Sequence, residues 1–221
     1  MKKLFIVANW KSNETTAEAN VWFQTFNSSN LTINKDEKEI IICPPFTLLA
    51  LVKELSPKSQ TPFAIGAQDV SPFDEGAYTG EENVKQIKEF ADYVIIGHSE
   101  RRKNFSETDE IISKKVGKAI EGGLTPILCV QGPETPIPGG VDIVAYEPVS
   151  AIGTGTPDTP EDADSVAKII KEKNAVKYVL YGGSVLGENV AGFTNLSSID
   201  GVLVGGASLA AEKFLKIIEN S

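Results

Sequence analysis

Histidine occurs once in this 221-residue chain, methionine once, cysteine twice and tryptophan twice. A single imidazole and no Cys-x-x-Cys pair leave too few donors for a structural zinc site, and no metal is expected. Cys43 and Cys129 fall at the ends of expected strands that are far apart in the sheet order, so two reduced thiols in a cytoplasmic protein are expected. Basic residues are outnumbered 21 to 30, for a net charge of -9. That deficit argues against nucleic acid and against an anionic membrane as partners, since both need a basic face. It also means that any anion site must be locally positive. Long apolar runs are missing too, so no segment has the length that spans a bilayer and a soluble chain is expected. The short apolar stretch after Met1-Lys2-Lys3 has no small-residue cleavage site behind it and reads as a strand, not as a leader.

What the chain does have is alternation. Short apolar runs at residues 4–8, 39–43, 64–67, 93–96, 126–130, 143–145, 178–180 and 202–204 predict eight strands. Helical periodicity fills the intervals at 17–26, 46–55, 82–90, 110–121, 161–173, 188–193 and 212–219. Between the fifth and sixth strands, residues 131–141 carry Pro133, Pro136, Pro138 and the Gly139-Gly140 pair, which rules out an α-helix there. The length suits one α/β domain spanning residues 1–221. Eight strands suggest a closed (β/α)8 barrel, a TIM barrel lacking the helix after strand 5, with its functional groups at the C-terminal strand ends. An open doubly wound sheet fits the same alternation.

Polar groups cluster at those strand ends. Glu147 closes the sixth strand, Pro148 stops the ladder, and residues 149–156 form a loop with Gly153 and Gly155 near its far end. A carboxylate in that place suits a base that is dry during chemistry and open between turnovers; a strand-end Glu that caps a helix is the plainer account. Asn9 and Lys11 end the first strand, as a hydrogen-bond donor and a point charge for an anion, although an isolated strand-end lysine is ordinarily a surface residue. His98 follows the fourth strand, just before Ser99, a plausible helix N-cap. An imidazole at a helix N-terminus is pushed toward its neutral form by the partial positive charge there. Glu100 has Lys11 or the arginines at 101 and 102 as possible partners, with a solvated charge cluster as the competing account for Arg102. Gly182-Gly183-Ser184 and Gly205-Gly206 each follow a strand, where backbone N–H groups can cradle phosphate oxygens, though turns also use such pairs.

Taken in order, Asn9-Trp10-Lys11, Gly76-Ala77-Tyr78-Thr79-Gly80-Glu81, Gly97-His98-Ser99-Glu100-Arg101-Arg102, Ala145-Tyr146-Glu147-Pro148-Val149, Ala151-Ile152-Gly153-Thr154-Gly155, Tyr181-Gly182-Gly183-Ser184 and Val204-Gly205-Gly206-Ala207-Ser208-Leu209 resemble the triosephosphate isomerase family over nearly the whole chain. The resemblance implies a TIM barrel that interconverts dihydroxyacetone phosphate and glyceraldehyde 3-phosphate in glycolysis and gluconeogenesis, without metal or cofactor. It implies that Glu147 is the base, that neutral His98 polarises the carbonyl and relays protons, and that Lys11, held by Glu100, attracts the phosphate. Asn9 would help to stabilise the enediolate. The backbone of Gly153, Ser184, Gly205 and Gly206 would hold the phosphate. Val149, Ser150, Ala151, Ile152, Gly153, Thr154 and Gly155 would form a lid, latched with the help of Tyr181. A cytoplasmic homodimer is implied, joined through the loop of residues 73–81 with Phe73, Tyr78, Thr79 and Glu81; a larger homo-oligomer is a further possibility.

Two departures stand out. Ser150 occupies a position where the family usually carries Trp, and Cys129-Val130-Gln131-Gly132 replaces its usual Cys-x-Gly-Glu, followed by the proline-rich bypass in place of a helix. The rival readings are a phosphosugar-binding barrel of different specificity and a non-catalytic binding protein. Neither accounts for Lys11, His98 and Glu147 together.

Overall fold

The computed structural model describes residues 2–29, 31, 33–148 and 158–221. Eight parallel strands, β1 (Leu4–Asn9), β2 (Lys38–Cys43), β3 (Ala64–Ala67), β4 (Tyr93–Ile96), β5 (Thr125–Val130), β6 (Ile143–Tyr146), β7 (Tyr178–Tyr181) and β8 (Gly201–Val204), pair in sequence order. β8 returns to β1, where Phe5 faces Gly201 and Ala8 faces Val204. The barrel is therefore closed, and the open sheet is set aside.

Outside it lie α1 (Thr16–Asn27), α2 (Leu49–Leu55), α3 (Val84–Lys88), α4 (Ser99–Asn104), α5 (Asp109–Glu121), α6 (Pro160–Lys173), α7 (Val190–Thr194) and α8 (Ala211–Asn220). Their starts follow local chemistry. Thr15 and Glu18 make a reciprocal capping box on α1, and Thr108 and Thr159 cap α5 and α6 with their hydroxyls. The helix expected at 46–55 begins instead as a 3-10 turn, Phe46–Leu48, before α2. Residues 131–142 cross from β5 to β6 without a helix: the Thr135 hydroxyl accepts from the Gln131 N–H at 3.1 Å, and Ile137 packs on the core from outside.

Strand alternation divides the apolar residues into two cores. Phe5, Val7, Ile41, Cys43, Ile95, Ile127, Cys129, Ile143, Ala145, Leu180 and Leu203 fill the barrel interior. Their neighbours on the same strands, such as Ile6, Ile40, Val94, Val144 and Val179, join the larger core beneath the helices. Closure thus places Cys43 and Cys129, distant in strand order, within one interior cluster as free, buried thiols.

Candidate active site

The inward-facing rows continue past the last apolar residue and supply the polar rim. Phe5 and Val7 lead to Asn9, Ile143 and Ala145 to Glu147, Leu180 to Gly182 and Leu203 to Gly205. These four positions, with Lys11 and His98, line a cavity of about 250 Å³.

Glu147 is buried, with 2% of its surface exposed. One carboxylate oxygen lies 2.9 Å from His98 Nε2, and the other accepts the Ser99 backbone N–H at 2.9 Å. The second contact sits at the start of α4, so this carboxylate both caps a helix and faces the cavity. The N-cap residue of α4 is His98, not Ser99: His98 has non-helical backbone angles, φ -50° and ψ 140°, and its Nδ1 accepts the Glu100 N–H at 3.2 Å. Because Nδ1 is an acceptor, the ring proton sits on Nε2 and points at Glu147. Ser99 is the first helical residue; its hydroxyl is buried and has no hydrogen-bond partner among the described residues.

Lys11 has φ 54°, a left-handed conformation that a non-glycine residue keeps only when its surroundings enforce it. Asn9 Oδ1 accepts its N–H at 3.0 Å. Gln68 Nε2 donates to its carbonyl at 2.9 Å and also to the Cys43 carbonyl at 2.9 Å. So held, the side chain runs over Gly205, where an added Cβ would come within 3.0 Å of Lys11 Cε, and Nζ meets Glu100 Oε1 at 2.5 Å. That pair is partly exposed, which leaves the ammonium accessible from the cavity. Ser184, Gly205 and Gly206 line the same cavity on the β7–β8 side. Tyr181 is buried behind it, with its hydroxyl accepting the Asp158 N–H at 2.9 Å. Gly153 and the other expected lid positions, Val149 to Gly155, lie outside the described residues.

Arg102 is not a solvated charge: Nε donates to the Gly97 carbonyl at 2.9 Å and Nη1 to Asp109 at 2.6 Å, bracing the turn before His98. Sequence reasoning missed Gln68, although it lies on the inward row of Ala64. It also missed an ionic quartet of three buried side chains, Asp69, Glu107 and Lys115, with the half-buried Arg101. Arg101 bonds Asp69 at 2.8 Å and Glu107 at 2.7 Å, and Lys115 bonds Asp69 at 2.6 Å and Glu107 at 2.5 Å. Burial would raise Glu107, but hydrogen bonds from Lys115 and Arg101 outweigh it and hold the carboxyl low. For Asp69 burial prevails over Lys115, and its carboxyl is pushed up. The quartet ties α4, which carries Glu100, to the end of β3 and to α5. Its signal was Lys115, a lysine on the same helical face as Ile112, Val116 and Ala119. Among the described residues, no three His, Cys, Asp or Glu side chains gather as a metal cage.

The family model for triosephosphate isomerase matches residues 4–136 and 139–221. The chain is 40% identical over 254 aligned positions to the triosephosphate isomerase of Dictyoglomus turgidum, covering all of both sequences. It is 36% identical to that of Thermus thermophilus (99% of this chain, 98% of the relative) and 39% identical to that of Aquifex aeolicus (99% of each). The 254-position alignment exceeds the 221 residues, so that relative carries residues which this chain lacks. The closed barrel, the rim of polar strand ends and these likenesses agree, and the chain belongs to the triosephosphate isomerase family.

Proposed function

We propose that this chain interconverts dihydroxyacetone phosphate and D-glyceraldehyde 3-phosphate with Glu147 as the base that moves a proton between adjacent carbons. The observation that carries the assignment is a buried carboxylate at the C-terminal end of β6, hydrogen-bonded by His98 and the Ser99 N–H and opening on the cavity that Lys11 and Asn9 share. On substrate binding the carboxylate exchanges these contacts for the substrate carbon. His98, with its proton on Nε2, then donates to a substrate oxygen and passes protons between the two oxygens. Lys11 and the Asn9 amide stabilise the negative charge of the enediolate. Glu100 holds Lys11 in place, and the backbone at Ser184, Gly205 and Gly206, with Gly153, receives the phosphate. Val149 to Gly155 act as the lid and Tyr181 as part of its latch. The test is a coupled isomerisation assay of the purified chain beside Glu147→Asp. Withdrawing the carboxylate by about a methylene, on the order of 1 Å, should cost about 100-fold in kcat. A variant within a few-fold of the parent would remove Glu147 from the role.

The chain acts as one domain, residues 1–221, and works as a cytoplasmic homodimer in this reading. Phe73 and Tyr78 stack on each other at 4.2 Å in the loop of residues 73–81, yet 44% and 43% of their surfaces face solvent, and Phe105 beside the mouth is 66% exposed. A neighbour's loop of this kind, seated in the 490 Å³ hollow between Phe46, Gln68 and Phe105, would bury these rings. Sedimentation should give a dimer or larger assembly at micromolar concentration; a fully active monomer would defeat this.

A further inference from the structure

The first described residue after the expected lid is Asp158, and among the described residues it makes two hydrogen bonds, each to a tyrosine at the end of a strand. Its backbone N–H donates to the Tyr181 hydroxyl at 2.9 Å, and its carboxylate accepts from the Tyr146 hydroxyl at 3.2 Å. Both tyrosines are buried, at 1% and 8% exposure. Tyr181 is further fixed by stacking on Phe193, with ring centroids 4.1 Å apart.

Tyr146 immediately precedes Glu147, and the two side chains leave the strand on opposite sides. Tyr146 belongs to the core beneath the helices, while Glu147 faces the cavity. The β6 backbone is held up to this point: the Glu147 N–H donates to the Val130 carbonyl, and the Gly182 N–H donates to the Tyr146 carbonyl, each at 2.8 Å. The next residue, Pro148, has no N–H to continue the ladder. Rotation of the strand end about its own axis is thus restrained on the outer side by whatever grips the Tyr146 hydroxyl, and that rotation sets where the Glu147 carboxylate points. Space for error is small, since a Cβ on Gly182 would already lie 2.9 Å from Glu147 Cγ, and one on Gly183 would lie 2.2 Å from the Tyr181 hydroxyl. The Tyr146 hydroxyl reaches the Asp158 carboxylate at 3.2 Å, a single contact on the outer side of the strand end. Burial first, and Asp158 next, push the Tyr146 hydroxyl up to about 12, so it stays a donor at working pH.

We propose that Asp158 is a positioning residue for the isomerisation: by gripping the Tyr146 hydroxyl on the outer side of β6, it aims Glu147 on the inner side. This rests on Glu147 being the base. The test measures kcat and KM for Asp158→Ala, Asp158→Asn, Tyr146→Phe and the Asp158→Ala/Tyr146→Phe double variant, with Glu147→Asp alongside. Asp158→Ala and Tyr146→Phe should each lower kcat by about tenfold while KM moves less than about twofold. The double variant should be no slower than the slower single one, because both remove the same bond. Asp158→Asn keeps an acceptor oxygen and should restore most of the rate. Ultraviolet titration of the tyrosines supplies a readout apart from activity: Asp158→Ala should let one buried tyrosine ionise at lower pH, and that transition should vanish in the double variant. Should Asp158→Ala fold poorly, Tyr146→Phe, which removes one oxygen atom, carries the kinetic test. Unchanged kcat in Tyr146→Phe, or rate losses that multiply in the double variant, would overturn the proposal while a crippled Glu147→Asp left the base in place. An undiminished Glu147→Asp would instead sink the base assignment, and the aiming role with it.

Discussion

In the proposed reaction Lys11 is the cation that lets an acidic protein hold a phosphate ester. Repulsion from a net charge of -9 acts at long range, but salt screens it beyond about 8 Å, inside which a single nearby ammonium prevails. Replacing Lys11 by Met should abolish measurable calorimetric binding of a phosphate-bearing enediolate analogue; unchanged affinity would place the anion elsewhere. That Asn9, Lys11, His98 and Glu147 would meet around one cavity was legible in the sequence because each lies at or just beyond a strand end. Gln68, Lys115 and Asp158 were not legible, because their meaning depends on partners distant in sequence that the packing of neighbouring strands and helices brings near. Gln68 reaches the carbonyls of Lys11 and Cys43, Lys115 reaches Asp69, and Asp158 joins β6 to β7.

The strands follow the expected runs to within a residue at either end, since period-2 alternation and glycine or proline punctuation act locally. α4 has only six residues and too little periodicity to announce itself; its start is set by His98 and Glu147, which are far apart in sequence. The seam between β1 and β8 is likewise invisible along the chain, yet one residue marks it. Gly201 has φ 147°, and a Cβ there would lie 2.0 Å from the Phe5 carbonyl oxygen. Gly201→Ala therefore combines backbone strain with a collision against β1 that neither strand can relieve without opening the barrel. A loss of about 3 kcal/mol or more is expected, read as a lower denaturant midpoint or as failure to fold. A midpoint equal to the parent's would mean that the seam yields easily.

Across the whole molecule, alkaline pH is the condition to which this barrel should be most sensitive. Burial raises the hydroxyls of Tyr93, Tyr146 and Tyr181 from 10 to about 12, with further pushes from Glu39 on Tyr93 and from Asp158 on Tyr146. Each folded-state value exceeds the unfolded one, so the native state binds these protons more tightly. The resulting stability is complete below pH 10 and is lost as pH rises toward about 12. Urea midpoints followed from about pH 9 to about pH 12 should fall with a slope reflecting more than one proton, and Tyr93→Phe should flatten it. The helix-free passage from β5 to β6 has a different consequence. Its glycines at 132 and 139 have open space around them, and Gln131, Glu134, Gly139 and Gly140 face solvent. A foreign peptide or a small folded cargo spliced between Pro138 and Gly139, beyond the Ile137 contact with the core, should ride on the outer wall while catalysis proceeds at the mouth, making the helix-free crossover a port for fusion.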